Sequence, residues 1–212
     1  PFKNKKNHKV ILRIDSDGDL FKDITKSFYY AFLFSVGSII FNSIVLQTSC
    51  AKIKLSKYIL RKEKISIVPD GFSKRLYKFK PHNLSGRKNI VLIVARVTEI
   101  KGIEVLIKAF SQVYLSYPTW RLRIVGPIED DDYFKKLQYV KHEMGLDNCI
   151  DIIGDLTVDK LIEEYDMASI FALPSRKESF GIVRLEAIAN GLPVITTEAG
   201  CAEDLRGVII VP

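Results

Sequence analysis

An α/β architecture with parallel sheets is predicted by three observations. Apolar runs of strand length alternate along the chain with segments whose apolar residues recur at helical spacing. The strand candidates are apolar throughout, as strands covered on both faces are, instead of alternating polar and apolar. The polar stretch KPHNLSGRKN at residues 80–89, with its proline and glycine, separates two such series and reads as a linker. The expectation is two Rossmann-like units, over residues 1–83 and 84–212.

In the first series VILRI (10–14) reads as a buried strand followed by an Asp- and Gly-rich turn. Strands are expected at 44–46 and 65–69, with a helix near Ala51–Leu60 between them. In the second series IVLIVA (90–95) is a strand, and Ile103, Leu106, Ile107, Phe110, Val113 and Tyr114 keep a helical period. LRIVG (122–126) is the next strand, and Tyr133, Leu137, Val140 and Met144 mark the next helix. A strand at CIDIIG (149–154) leads to a helix lined by Leu161, Ile162 and Tyr165. IFAL (170–173), a helix near Ile182–Asn190, VIT (194–196) and VIIV (208–211) complete the series.

Composition narrows the function classes. With 212 residues, 47% apolar and 27% charged, the chain builds a real core, which excludes disorder, collagen-like repeats and disulfide miniproteins. The net charge of +7 suits acidic partners: phosphate-bearing molecules, anionic lipid or nucleic acid. Dispersed lysines and no aromatic stripe of the RNA-binding kind argue against nucleic acid. Cys50, Cys149 and Cys201 are far apart, as are His8, His82 and His142, so no metal site is expected and a reducing cytoplasm is the expected location. The chain begins at Pro1 without a signal pattern and ends at Pro212 after an apolar run; it is expected to be a fragment, with the first domain incomplete and the second truncated.

Residues 27–51 carry no charge. The run is long enough to span a bilayer, yet Ser35, Gly37, Ser38, Asn42 and Ser43 interrupt it. A helix from about Ile24 to Phe34, a break at Gly37 and Ser38, and a strand near Ile44–Leu46 account for it equally well. Contact with a membrane surface is the third reading.

Ligands of doubly wound folds bind beyond the carboxyl ends of the strands, here the loops after Ala95, Gly126, Gly154, Leu173 and Thr196. The first runs from Arg96 to Lys101 and Gly102 into a helix. Two cations and helix-end amides suit a diphosphate; two solvated surface cations are the plainer reading. After Pro174 comes Ser175 to Gly181, containing Glu178, with Glu186 eight residues further on. Two helical glutamates at that spacing would sit about 80° apart. With Glu178 in the loop and Glu186 on the helix, the carboxylates instead reach different parts of one elongated ligand. One capping and one exposed glutamate is the alternative.

VARVTEIKG, the IVG after WRLR, IIGDL, ALPSRKESFGIVRLEAIANGLPVITTEAGCAEDL and GVIIVP form an ordered series. The series resembles the donor half of the family-4 retaining glycosyltransferases of GT-B fold. The family's E-x7-E block is present from Glu178 to Glu186, followed by Ala187, Ala189, Gly191, Pro193 and Val194 of its A-x-A-x-G-x-P-V pattern. SIVPDGF (66–72) is similar to the segment closing the family's first domain.

This resemblance implies an acceptor-side domain ending at residue 83 and a nucleotide-sugar domain from 84. It implies a hexosyltransferase-type enzyme that moves a sugar from a nucleoside-diphosphate sugar with retention, metal-independent and without a cofactor. Arg96 and Lys101 fall to the donor diphosphate and Glu186 to the ribose hydroxyls. Glu178, with the backbone of Ser179, Phe180 and Gly181, falls to the donor sugar. Gly126, Pro127, Ile153 and Gly154 would border the base, and Gly200 the sugar. Ala95 stands where the family usually has Gly, and Cys201 where it has a second Gly. A front-face reaction is implied, with Glu178 binding sugar hydroxyls instead of acting as a base. The acceptor implied is a glycan, a lipid-linked molecule or a small molecule, and a basic chain with an apolar segment fits a lipid-linked one, with the protein peripheral at the inner membrane face.

Two rivals remain at this level. RIDSDGDLFKD, with Asp15, Asp17, Asp19 and Asp23, resembles the first motif of haloacid-dehalogenase-type phosphatases, and Asp155 would complete a magnesium site. The same DSD mimics the metal-binding motif of GT-A glycosyltransferases, and a capped turn near the interdomain cleft explains it as well. A truncated, non-catalytic nucleotide-sugar-binding fragment is the other.

Overall fold

The computed structural model describes residues 9–15, 28–71, 73, 86–200 and 202–212. The chain divides into two compact units, one of Pro1–Asp70 with Glu178–Phe180 and one of Gly71–Lys177 with Gly181–Pro212. Most of the expected linker, residues 80–85, lies outside the described residues.

In the first unit β1 (Ile11–Ile14), β2 (Ser43–Leu46) and β3 (Ile65–Ile67) form a parallel sheet in the order β1-β2-β3. The apolar stretch resolves into helix α1 (Phe28–Gly37), a turn and strand β2, the helix–break–strand reading. Ser38 helps close that helix: its amide donates to the Phe34 carbonyl (2.9 Å) and its hydroxyl to that of Ser35 (2.6 Å). Among the described residues no helix is long and apolar enough to cross a membrane.

Helix α2 spans Ser49–Leu55, with a 3-10 turn at Ser56–Tyr58, so it begins earlier and ends sooner than the apolar spacing predicts. The reason is local. Thr48 is the cap residue, its hydroxyl accepting the Ala51 amide at 3.1 Å. Ile14, Ile44, Leu46, Ala51, Leu55, Ile59 and Ile65 make this unit's core.

The second unit alternates strand and helix as far as β8: β4 (Ile90–Val94), α3 (Ile103–Ser116), β5 (Arg121–Val125), α4 (Asp131–Glu143), β6 (Ile150–Gly154), α5 (Val158–Met167), β7 (Ile170–Leu173), α6 (Ile182–Ala189) and β8 (Val194–Thr197), with a 3-10 turn at Ala202–Asp204 leading to β9 (Val208–Val211). Its six strands are all parallel in the order β6-β5-β4-β7-β8-β9. Successive strands therefore run outward from β4 in one direction, and the chain then crosses back to place β7 on β4's other side. That reversal between β4 and β7 is a topological switch point, where neighbouring loops part and leave room for a ligand.

Leu92, Ile93, Ile103, Ile107, Leu122, Ile124, Leu137, Phe171 and Val194 are buried in one continuous core. Each such side chain contributes about 1.5–3 kcal/mol on leaving water. An apolar hollow of about 630 Å³ lies between α3 and strands β7 and β8, lined by Val105, Phe110, Val113, Trp120, Ala172 and Ile195 among others. The residues expected to bind a ligand lie elsewhere, in and beside the loops at the carboxyl ends of the strands.

Candidate functional site

The loops after β4 and β5 continue side by side beyond their strands. The Ala95 amide donates to the Val125 carbonyl (2.9 Å) and the Val97 amide to that of Pro127 (2.8 Å). Gly126 makes this approach sterically allowed. It sits at φ 142°, and a Cβ there would lie 2.1 Å from the Ala95 carbonyl oxygen. Its amide reaches the Gly154 carbonyl at 2.9 Å, so Gly126, Pro127, Ile153 and Gly154 form one rim at the ends of β5 and β6.

Arg96 is exposed and pairs with Glu129 at 2.8 Å. Lys101 ends a 3-10 turn, Glu99–Lys101, and Gly102 then turns left-handed (φ 63°) to start α3. A Cβ on Gly102 would meet the Pro174 carbonyl oxygen at 2.2 Å, so the loops after β4 and β7 touch through backbone. The amides expected to face an anion at this helix end are partly engaged already: that of Glu104 donates to the Tyr133 hydroxyl at 3.2 Å.

Three residues that sequence reasoning did not single out hold this corner together. Glu104 is 4% exposed, and its carboxylate accepts hydrogen bonds from the Tyr133 hydroxyl on α4 and from Arg176 in the loop after β7. Arg176 also donates to the Glu99 carbonyl (3.1 Å), pairs with the Glu99 carboxylate (3.3 Å), and gives its amide to the Ile100 carbonyl (2.9 Å). Burial, helped by the hydrogen bond to Glu104, pushes the Tyr133 phenol well above its usual range, so it stays a donor. An acid in a helix's first turn, a tyrosine in an apolar stripe and an arginine in a loop are each unremarkable in sequence. Only the fold makes positions 104, 133 and 176 neighbours.

On the other side of the switch point, Glu178 lies in the loop and Glu186 on α6, whose first residue follows Gly181. Glu178–Phe180 group with the first unit; the remaining site candidates belong to the second. Glu178 is half-buried, Ser179 exposed and Phe180 buried.

Glu186 is 6% exposed and accepts a 2.9 Å hydrogen bond on Oε2 from the Tyr165 hydroxyl of α5. Its Oε1 carries no hydrogen bond among the described residues. Burial raises the Glu186 carboxyl above its ordinary value, while the Tyr165 bond works the other way. Arg184, two residues earlier and fully buried, donates to the carbonyls of Ala199 (2.8 Å) and Gly200 (3.0 Å), fixing the loop after β8. Thr197 ties the same loop to the Ser175 carbonyl at 2.6 Å.

Asp15 is exposed and accepts from Arg13 at 2.6 Å, while Asp17, Asp19, Asp23, His8, His82 and Cys201 lie outside the described residues. Among the described residues no three His, Cys, Asp or Glu side chains gather into a metal-sized group.

Fold and site together define a doubly wound α/β protein whose charged and backbone donors meet at the switch point of its larger sheet. The chain belongs to the family of glycosyl transferases group 1, whose model matches residues 75–206. It is 31% identical over 118 residues to the D-inositol 3-phosphate glycosyltransferase of Corynebacterium jeikeium, covering 54% of this chain and 28% of that one. It is likewise 31% identical over 150 residues to the lipopolysaccharide 1,2-N-acetylglucosaminetransferase of Salmonella typhimurium, covering 64% of this chain and 39% of that one. The chain thus spans well under half the length of these relatives.

Among solved structures, Anabaena HepE in complex with UDP superposes with a TM-score of 0.81 at 20% identity, over 96% of this chain and 58% of that one. Sucrose-phosphate synthase from Thermosynechococcus elongatus gives 0.75 at 22%, over 98% and 56%. These likenesses bear out the GT-B expectation for the fold. Family membership also sets aside the phosphatase reading of Asp15 and Asp17, which leaves the 170–205 block unexplained.

Proposed function

We propose that this chain carries the donor-binding part of a retaining, metal-independent glycosyltransferase that uses a nucleoside-diphosphate sugar. The observation that carries the reading is the switch-point arrangement. Arg96 and Lys101 follow β4, the Gly126–Gly154 rim closes β5 and β6, and Glu186 presents from α6 a carboxylate oxygen that carries no hydrogen bond among the described residues. These are a cationic patch, a backbone rim and a carboxylate, the three kinds of group that a diphosphate, a base and a ribose require.

Departure of a nucleoside diphosphate leaves negative charge on the phosphate oxygens and positive charge at the anomeric carbon. Arg96 and Lys101 stabilise the first, worth most where water is excluded. Glu186 accepts from the ribose hydroxyls and orients the nucleotide. Glu178, with the Ser179–Gly181 backbone and Gly200, holds the donor sugar, and no side chain is assigned as nucleophile in a front-face transfer. A glycan or lipid-linked acceptor at the cytoplasmic membrane face is favoured by the +7 charge and the apolar stretch around α1.

Calorimetric titration with UDP-, GDP- and ADP-sugars, with and without magnesium, tests the reading. UDP-sugars come first because HepE was solved with UDP and with UDP-glucose. Binding of one nucleotide that is indifferent to magnesium and lost in Arg96→Ala and Glu186→Ala is expected. A folded chain that binds none of the three overturns the proposal.

A further inference from the structure

We infer that Arg176, Glu104 and Tyr133 are positioning residues for the donor diphosphate, setting the backbone that carries Lys101; this rests on the donor-site reading above. Arg176 grips the chain on both sides of Lys101. Before it, the guanidinium binds the Glu99 carbonyl and carboxylate and the Arg176 amide binds the Ile100 carbonyl; after it, the guanidinium binds the Glu104 carboxylate. Lys101 thus opens the three-residue stretch between two anchored points.

The anchors reach beyond one loop. Glu104 is fixed by the Tyr133 hydroxyl, which donates to its carboxylate and accepts its amide at 3.2 Å, so the first turn of α4 is joined to the first turn of α3. Lys136, one turn further along α4, lies 3.6 Å from the Glu99 carboxylate. Pro174, two residues before Arg176, closes over Gly102. The loops after β4 and β7 and the start of α4 are therefore one hydrogen-bonded body that carries Lys101.

A buried carboxylate held by a tyrosine and an arginine fixes geometry because losing either partner leaves a charge without its compensation. Glu104 and Tyr133 are both 4% exposed, so neither offers itself to a ligand, and their influence on binding must pass through the backbone they hold.

Three variants of the chain, Tyr133→Phe, Glu104→Gln and Arg176→Lys, are titrated with UDP and with uridine and melted alongside the parent. The expected result is a loss of UDP affinity of about two- to thirtyfold, the range of indirect coupling, with uridine affinity unchanged. A merely structural role moves both ligands together, in step with the melting temperature. The inference is overturned if UDP and uridine weaken equally, or if Arg176→Lys alone affects UDP, which would make Arg176 a direct phosphate contact. A parent chain that binds neither ligand, nor GDP or ADP, refutes the donor-site reading itself. A parent that binds UDP while all three variants match it refutes only the positioning role.

Discussion

Replacing Glu186 by glutamine keeps the side chain's shape and its hydrogen bond from Tyr165 but removes a buried negative charge. Two effects follow, of opposite sign. Burial raises the carboxyl above its ordinary 4.5, outweighing the Tyr165 bond that lowers it. A carboxyl with a raised folded value binds its proton more tightly in the folded chain, so stability falls as pH rises from the ordinary value through the raised one. Above that window the ionised group is a net cost, which glutamine does not carry. The variant is therefore expected to melt at the same temperature as the parent or higher at pH 7.5, and the advantage disappears below the ordinary carboxylate range.

Ribose recognition moves the other way. A hydrogen bond to a charged group contributes about 1.5–3 kcal/mol, so UDP should bind roughly ten- to 150-fold more weakly. Calorimetry and thermal melting on the same samples read both effects. Unchanged UDP affinity in a folded variant, or a loss that merely follows a lowered melting temperature, would refute the reasoning.

Tyr165→Phe removes the bond that restrains the Glu186 carboxyl, so UDP binding should fail at a higher pH on acidification than in the parent; a pH series of dissociation constants shows the shift or its absence. Glu129→Gln frees Arg96 from an exposed pair worth up to about 1 kcal/mol, so UDP should bind up to about fivefold more tightly, and weaker binding would count against Arg96 as a phosphate ligand. Gly126→Ala places a methyl 2.1 Å from the Ala95 carbonyl oxygen in a backbone region that suits glycine. It should cost more than about 1 kcal/mol, a fall in melting temperature of at least about 2–4 °C, and a variant as stable as the parent would show that the loops separate without cost.

The second unit was legible because its core elements carry their periods openly. Ile103, Ile107 and Phe110 keep helical spacing and are buried, and IVLIV is the centre of the sheet. Placing Glu178 in a loop and Glu186 on a helix also followed from sequence, because Gly181 marks where α6 begins. Ends governed by a single side chain were harder: Thr48 moves the start of α2 by its hydroxyl, and apolar spacing has no term for that. Buried charge was not legible at all. Arg184 lies within an apolar helix sequence, and nothing nearby announces that the carbonyls of Ala199 and Gly200 await it. Positions 104, 133 and 176 are likewise silent, since a network between distant loops leaves no local pattern.

The β4–β7 pairing joins Val91 to Ile170, about 80 residues later. During synthesis at about 5–20 residues per second, the segment bearing Arg96 and Lys101 emerges roughly 4–16 s before the strand that completes its surroundings. Until then β4 has a bare edge where β7 will dock, and Glu104 has no arginine. The charged corner thus forms only after the loop beyond β7 has been made, and any ribosome-bound intermediate that stops short of Arg176 lacks it.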